Sequence, residues 1–149
     1  MDSRTILQST IETFWDTIPP TWKKVRANLH TIARDDFGIS ELQFHFLRHI
    51  NHGINTAAAL AARQQVSRPA ATQTINQLVE KALVTRTQNQ DDRRFVNLTL
   101  TTEGANTLSL IFAKSRLWMS EKMKTLNEGD LQTIFESMSI LKQVFTTIK

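Results

Sequence analysis

The 149-residue chain contains no cysteine. Disulfide bonds, cysteine-ligated zinc and thiol-based redox sensing are therefore excluded. No run of apolar residues approaches the ~20 that a membrane span needs. The polar N-terminal residues 1–5 do not begin an apolar signal sequence. We therefore expect a cytoplasmic protein.

The motifs of common enzyme classes are also missing. The chain has no glycine-rich phosphate loop, no G-x-S-x-G nucleophile turn and no metal-hydrolase motif. Two acidic pairs, at 35–36 and 91–92, fall in polar turns rather than facing each other across a cleft. The sequence therefore favours a binding protein over an enzyme.

The composition is that of one globular domain, with or without an attached helical arm. Hydrophobic residues make up 40% and charged residues 21%, and the net charge is +4. Residues 1–54 hold six Lys/Arg and six Asp/Glu, whereas residues 55–94 hold six against three. Most of the excess positive charge thus lies in one segment, which favours phosphate binding there.

Two short strand-like runs, 83–88 and 95–100, flank a polar turn that ends in Arg93 and Arg94. In the second run, apolar side chains alternate with the others at every second position. This alternation predicts a β-hairpin with one buried face. We expect neither arginine at its tip to have a buried partner, so both are available to an anionic ligand.

A pair of helices with a tight turn is predicted directly before the hairpin, over 57–64 and 68–82. Ser67 is a good N-cap for the second helix, and Pro69 is tolerated in its first turn. A helix-turn-helix followed by a basic hairpin is the outline of a winged-helix DNA-binding domain.

The remainder of the chain is predicted to be helical. Pro19 and Pro20 are expected to separate the first two helices, and Ser3 and Ser40 are expected to cap helices. Residues 54–55 are expected to add a very short strand or a cap. The predicted ranges are 3–16, 20–34, 41–51, 102–125 and 127–148. The predicted fold class is mainly α with a small β-hairpin wing, and the apolar terminal helices predict a symmetric homodimer.

Several pieces of the sequence within residues 40–104 carry a family resemblance. They are Ala59-Leu60-Ala61, Val66-Ser67-Arg68-Pro69, Leu78-Val79-Glu80-Lys81-Ala82-Leu83-Val84, Asp92-Arg93-Arg94 and Leu100-Thr101-Thr102-Glu103-Gly104. In combination they resemble the MarR family of bacterial transcriptional regulators. The Asp-x-Arg wing followed by Leu-Thr-x-x-Gly is the most specific part. Two residues depart from the family pattern, since Gln65 and Ala82 stand where glycine is usual. Because alanine disfavours positive φ, we expect the helix before Ala82 to end differently.

The resemblance implies a winged-helix domain over 40–101, with the helix-turn-helix at 55–82 and the wing at 83–100. It also implies a helical dimerisation region formed by 1–34 and 102–149. The implied function is that of a homodimer on a palindromic operator in double-stranded DNA. A small-molecule effector in the crevice between the two regions would weaken that binding.

The second helix of the helix-turn-helix supplies the predicted base contacts. Gln73 and Gln77 lie nearly opposite its buried stripe and have amide groups that suit adenine edges, whereas Arg68 suits guanine or a phosphate. Thr72 lies on the flank, and family positions support all four residues. Ser67, at the helix start, completes the predicted set. From periodicity alone, these residues are equally well explained as the solvated face of a surface helix.

At the wing, Arg94 is the predicted minor-groove contact, because narrow A·T-rich grooves attract arginine. The resemblance assigns Asp92 the role of orienting that arginine. Arg86 and Arg93 are predicted phosphate contacts, and a solvated hairpin charge is an equal alternative for each.

Ligand sites are less marked in the sequence. His45 and His49 lie four residues apart and could bind a divalent metal, although we expect no acidic residue at a neighbouring helical position and favour ordinary buried histidines. An aromatic group could line a pocket for a small aromatic or other effector, or simply belong to the core. This group comprises Phe14, Trp15, Trp22, Phe44, Phe46 and Trp118.

Taken together, these patterns predict a sequence-specific, double-stranded-DNA-binding transcriptional regulator, most simply a repressor relieved by a small ligand. No cofactor is expected. The alternatives are a winged helix that binds only proteins and a metal-responsive regulator that uses His45 and His49.

Overall fold

A computed structural model describes residues 2–146 of the chain. The described residues form six helices and one two-stranded antiparallel sheet, so the predicted fold class is confirmed. The elements are α1 (Ser3–Phe37), α2 (Glu41–Asn51), α3 (Ala57–Gln64), α4 (Arg68–Glu80), β1 (Val84–Gln88), β2 (Val96–Leu100), α5 (Thr102–Met123) and α6 (Glu128–Thr146). Across these residues, no helix has the length and apolar character to cross a membrane. Ile148, which the predicted last helix includes, lies outside the described residues.

The first helix differs most from the prediction. Pro19 and Pro20 lie inside a continuous α1 of 35 residues rather than separating two helices. A proline removes only the backbone hydrogen bonds next to it, so the remaining turns of a long helix can outweigh that local cost. The predicted cap is also wrong, because Asp2 is the N-cap residue and makes no side-chain capping bond. The helix ends at Gly38, whose φ of 64° is left-handed.

The second helix is the centre of the core, as its nearly all-round apolar pattern indicates. Ser40 caps it as predicted: its Oγ accepts from the Gln43 backbone N–H at 3.2 Å, and the Gln43 side chain accepts from the Ser40 N–H at 3.1 Å. The core residues around α2 come from every element except α6, and the largest fully buried ones are Phe44, Phe46, Ile39, Leu47, Leu60, Ile75, Leu78, Ile111 and Val84.

The predicted hairpin is present, with Val84 paired to Leu100 and Gln88 paired to Val96. Only its base is buried, because Leu98 is 3% exposed whereas Val96, near the tip, is 45% exposed. No strand forms at 54–55. A single bond from the Leu98 N–H to the Asn55 carbonyl, at 2.8 Å, joins that segment to β2.

The Leu-Thr-x-x-Gly sequence joins the hairpin to α5. The Thr101 hydroxyl donates to the Ala82 carbonyl at 2.6 Å and accepts from the Gly104 N–H at 2.9 Å. The Thr101 N–H donates to the Leu83 carbonyl at 3.0 Å. A Cβ on Gly104 would lie 2.0 Å from that same carbonyl oxygen. Glycine is therefore required here by the close approach of two backbones.

The chain divides into two compact units after Ser115. In the second unit, Asn127 caps α6 by accepting from the Asp130 N–H at 2.9 Å. Within Glu128–Thr146, no residue is buried. The predicted functional division, with a dimerisation region at 1–34 and 102–149 and a DNA-binding domain at 40–101, stays a prediction.

Candidate nucleic-acid interface

The backbone is left-handed at one residue after α3 and at one residue after α4, a geometry that glycine usually supplies. Gln65 ends α3 with φ of 53°, and Ala82 follows α4 with φ of 57°. Backbone bonds close both ends, from the Val66 N–H to the Ala61 carbonyl and from the Leu83 N–H to the Leu78 carbonyl, each 3.0 Å. The expectation that alanine changes the helix end is therefore wrong. The chain keeps the glycine-type backbone and accepts the steric cost.

The α4 helix presents one polar face to solvent. Ser67 caps it by accepting from the Ala70 N–H at 3.2 Å, with Pro69 in the first turn. The buried side of the helix is formed by Ala71, Thr74, Ile75 and Leu78. The exposed residues include Ser67, Arg68, Thr72, Gln73 and Asn76. Four of the five predicted contact residues of this helix thus lie on its accessible face.

The fifth, Gln77, is oriented differently from the prediction. It is only partly exposed, and its Oε1 accepts a hydrogen bond of 2.8 Å from Nε2 of Gln43. Gln43 itself is buried at the start of α2. Gln77 therefore joins α4 to α2 and does not point straight out from the core. A buried donor needs such a partner, and periodicity alone does not reveal one that lies 34 residues away.

A second contact missed by sequence reasoning connects the wing to α4. The Arg86 guanidinium on β1 donates to Oδ1 of Asn76 on α4. This bond links the strand to the exposed face of the helix. Arg86, predicted as a phosphate contact, is thus placed between helix and wing, and it remains exposed.

The wing tip is organised around two side chains. The Asn89 side chain accepts from the backbone N–H groups of Asp91 at 2.9 Å and Asp92 at 3.3 Å, which forms a tight turn. The Asp92 carboxylate then accepts from Nε and Nη2 of Arg94, at 3.1 and 2.8 Å, and from the Arg94 backbone N–H at 3.0 Å.

This pairing orients an otherwise free cation. Hydrogen bonds from the Arg94 side chain, and then from its backbone, lower the pKa of the Asp92 carboxyl, so the pair stays ionised. The Arg94 side chain is still 86% exposed. A guanidinium has five N–H donors, and the carboxylate occupies one edge of it. The arrangement is the one that an orienting role for Asp92 requires. Arg93 is exposed beside it.

The two histidines His45 and His49 of α2 have different partners. The Nε2 of His49 lies 2.7 Å from Nε2 of Gln64. His45 instead lies beside His30 of α1 and Glu41, which stands one helical turn before it on α2. The expectation that no acidic residue occupies a neighbouring helical position is therefore wrong.

The predicted aromatic group is not gathered into one cavity. Phe44 and Phe46 are core residues, whereas Trp15 and Trp22 are 67% and 51% exposed on α1. Phe14 packs edge-on against Trp15, with ring centroids 6.1 Å apart. In the second unit, the Trp118 ring packs beneath Nζ of Lys122. The core interpretation holds for two of the six residues.

The MarR family model matches residues 37–94, from the end of α1 to the wing tip. Residues 37–94 are therefore similar to the MarR family. The HTH-type transcriptional repressor MdtR of Bacillus subtilis is 30% identical over 95 residues, which span 63% of this chain and 61% of the repressor. The chain thus matches about three-fifths of that relative's length.

Two solved structures show that the similarity of fold extends well beyond residues 37–94. The transcriptional regulator Tm0710 of Thermotoga maritima superposes with a TM-score of 0.83 at 22% identity, covering 89% of this chain and 94% of that one. FabT of Streptococcus pneumoniae, solved in complex with DNA, superposes with a TM-score of 0.61 at 18% identity, covering 93% and 99%.

Proposed function

We propose that this protein is a sequence-specific, double-stranded-DNA-binding transcriptional regulator that reads DNA with α4 and the wing. The observation that carries the proposal is the Asp92–Arg94 pair, which orients an exposed guanidinium at the tip of a hairpin. A structural ion pair would gain little at such an exposed position. An oriented cation does suit a groove lined by phosphates.

The exposed face of α4 carries the chemistry of base recognition. In a helix-turn-helix, the N-terminal residues of the second helix contact base edges in the major groove. Arg68 and Gln73 are exposed at that end and suit guanine and adenine, respectively. Thr72 lies beside them with both a methyl and a hydroxyl group. Gln77 contributes chiefly by joining α4 to the core.

The wing acts next to the helix. The Arg86–Asn76 bond joins β1 to α4, so helix and wing can meet DNA together. Arg94 enters the minor groove, where narrow A·T-rich stretches concentrate negative potential. Arg93 and Arg86 contact flanking phosphates.

The proposed active form is a homodimer on a palindromic operator, with half-sites about one helical turn apart. Large apolar side chains are exposed on the N-terminal half of α1 and along α6, and they suit a partner chain. They include Ile6, Leu7, Ile11, Trp15, Leu131, Met138, Ile140 and Val144. We also propose that regulation is repression, as the name of the Bacillus relative states for that protein, and that a small effector relieves it.

The experiment that tests the proposal is selection of a bound operator from random duplex DNA, followed by titration of variants at two salt concentrations. Arg94→Ala is expected to weaken operator binding by about 1–3 kcal/mol. Arg34→Ala is the matched control, since Arg34 also makes an exposed bidentate pair, with Asp35, but lies on α1. It is expected to leave affinity unchanged.

Asp92→Ala makes the test sharper because two explanations predict opposite changes in DNA-binding affinity. If charge alone governs binding, removal of a carboxylate strengthens binding to an anionic partner. If Asp92 orients Arg94, its removal weakens binding in spite of the gained positive charge. Equal affinity of wild type, Arg94→Ala and Asp92→Ala would remove the wing from the interface. No DNA binding even at low salt would favour a protein-interaction module.

A further inference from the structure

A compact set of donor atoms lies where α1 meets α2. Nδ1 of His30 is 3.4 Å from Oε1 of Glu41, and Nε2 of His45 is 3.6 Å from the same oxygen. All three donor atoms lie within 4.8 Å of one another. The two imidazole rings are edge to face, with centroids 5.2 Å apart. Both histidine side chains are largely buried, at 17% and 14% exposure, while Glu41 opens to solvent.

These separations fit a metal ion better than they fit direct hydrogen bonds. Distances of 3.4 and 3.6 Å are long for a nitrogen–oxygen hydrogen bond. Two ligands that each lie ~2.1 Å from a tetrahedral ion are ~3.4 Å apart. Two imidazoles and one carboxylate, with a fourth position open to water, form a typical donor set for zinc and similar divalent ions.

The guanidinium of Arg26 already places a positive charge at this position. Nη2 of Arg26, one turn before His30 on α1, lies 3.2 Å from Oε1 of Glu41 and 3.3 Å from Nε2 of His45. It therefore contacts two of the three donor atoms. The Arg26 side chain is 49% exposed, so it can rotate into solvent when a smaller, doubly charged ion enters.

The surroundings of both histidines lower their pKa values. Burial, and then the charge of Arg26 and Arg48 against the opposing effect of Glu41, lowers the pKa of His30. Burial, followed by the charges of His30 and Arg26, lowers the pKa of His45. A lowered pKa favours the neutral imidazole, which is the form that binds a metal.

We propose that His30, Glu41 and His45 bind a divalent transition-metal ion of the zinc class in competition with the Arg26 guanidinium. Because the ligands come from α1 and α2, the ion fixes the long first helix against the start of α2. Nε2 of His30 is buried and has no hydrogen-bond partner among the described groups. A ligating histidine is usually held in place by a hydrogen bond from its other ring nitrogen. His30 lacks that bond, so we expect the site to bind the metal ion with moderate affinity.

The test uses the full-length protein without DNA, titrated with Co²⁺ as a spectroscopic probe and then with Zn²⁺ in competition. Wild type is expected to develop the visible absorption of four-coordinate Co²⁺ and to lose it when Zn²⁺ is added. Glu41→Gln and His45→Gln are each expected to weaken binding by at least about tenfold. His52→Gln, at an exposed histidine outside the cluster, is the matched control and is expected to bind as wild type.

Arg26→Gln is expected to change the metal affinity in the opposite direction. Loss of the competing cation is expected to strengthen Co²⁺ binding several-fold, whereas an adventitious surface site would be unaffected. Absence of the Co²⁺ spectrum in wild type and in Arg26→Gln would overturn the proposal. So would an equal loss of binding in His52→Gln and His45→Gln. Because the readout needs no DNA, its failure leaves the proposed DNA-binding function untouched, and failure of DNA binding leaves the metal site untouched.

Discussion

Helices α2 and α6 use similar side chains in opposite ways. In its 11 residues, α2 buries Phe44, Phe46, Leu47 and Ile50 together with Gln43. In 19 residues, α6 buries none, and Phe135 is 67% exposed. Both helices have apolar residues at helical spacing. Apolar periodicity therefore shows that a helix needs a surface to pack on, but it does not show whether that surface belongs to the same chain.

The difference between α2 and α6 separates stability that a single chain gains on folding from stability that it gains on association. Residues packed around α2 gain their burial when a single chain folds. No residue of α6 is buried within Glu128–Thr146, and a second copy of the chain is the surface that we propose for it. The stability supplied by α6 should then depend on protein concentration, whereas that supplied by α2 should not.

The largest expected effect tests directly whether α2 and α6 stabilise the protein in different ways. Phe46→Ala is expected to lower the free energy of unfolding by about 3–5 kcal/mol, at every protein concentration. Phe135→Ala is expected to lower it only at concentrations at which wild type self-associates. Urea unfolding at several protein concentrations, with sedimentation of the same samples, measures both. A concentration-independent loss in Phe135→Ala as large as that in Phe46→Ala would show that α6 packs within its own chain.

A glycine pair gives the next effect. Gly104→Ala is expected to cost about 3 kcal/mol or more, because the new Cβ would meet the Leu83 carbonyl and backbone cannot move aside easily. Gly129→Ala in α6 would meet only the Asn127 side chain, at 3.2 Å, and is expected to change stability by less than about 1 kcal/mol. Thermal unfolding of both variants checks the contrast, and equal losses would contradict it.

The smallest effect concerns the strained end of α4. Ala82→Gly is expected to raise the free energy of unfolding by about 1 kcal/mol, because glycine adopts the left-handed backbone of Ala82 without steric cost. Ala105→Gly, at an exposed position inside α5, is the control of opposite sign and is expected to lose about 0.5–1 kcal/mol. A loss of stability in Ala82→Gly would show that the strain at this turn is already relieved.

Local patterns in the sequence were sufficient for the secondary structure around the interface. Ser40 and Ser67 cap the helices that they precede, because an N-cap depends on atoms only three residues away. The alternation in 95–100 likewise predicts the β2 strand. The order helix, turn, helix and hairpin then indicates a winged helix before any tertiary contact is known.

The tertiary structure decided what depends on atoms distant in the sequence. Pro19 and Pro20 stay within one helix because the turns on either side outweigh a local loss. Gln77 turns toward Gln43, and His45 lies beside His30, because the packing of α2 against α1 and α4 brings those groups together. Periodicity reports which face of a helix is apolar, and only packing decides what that face and its polar neighbours meet.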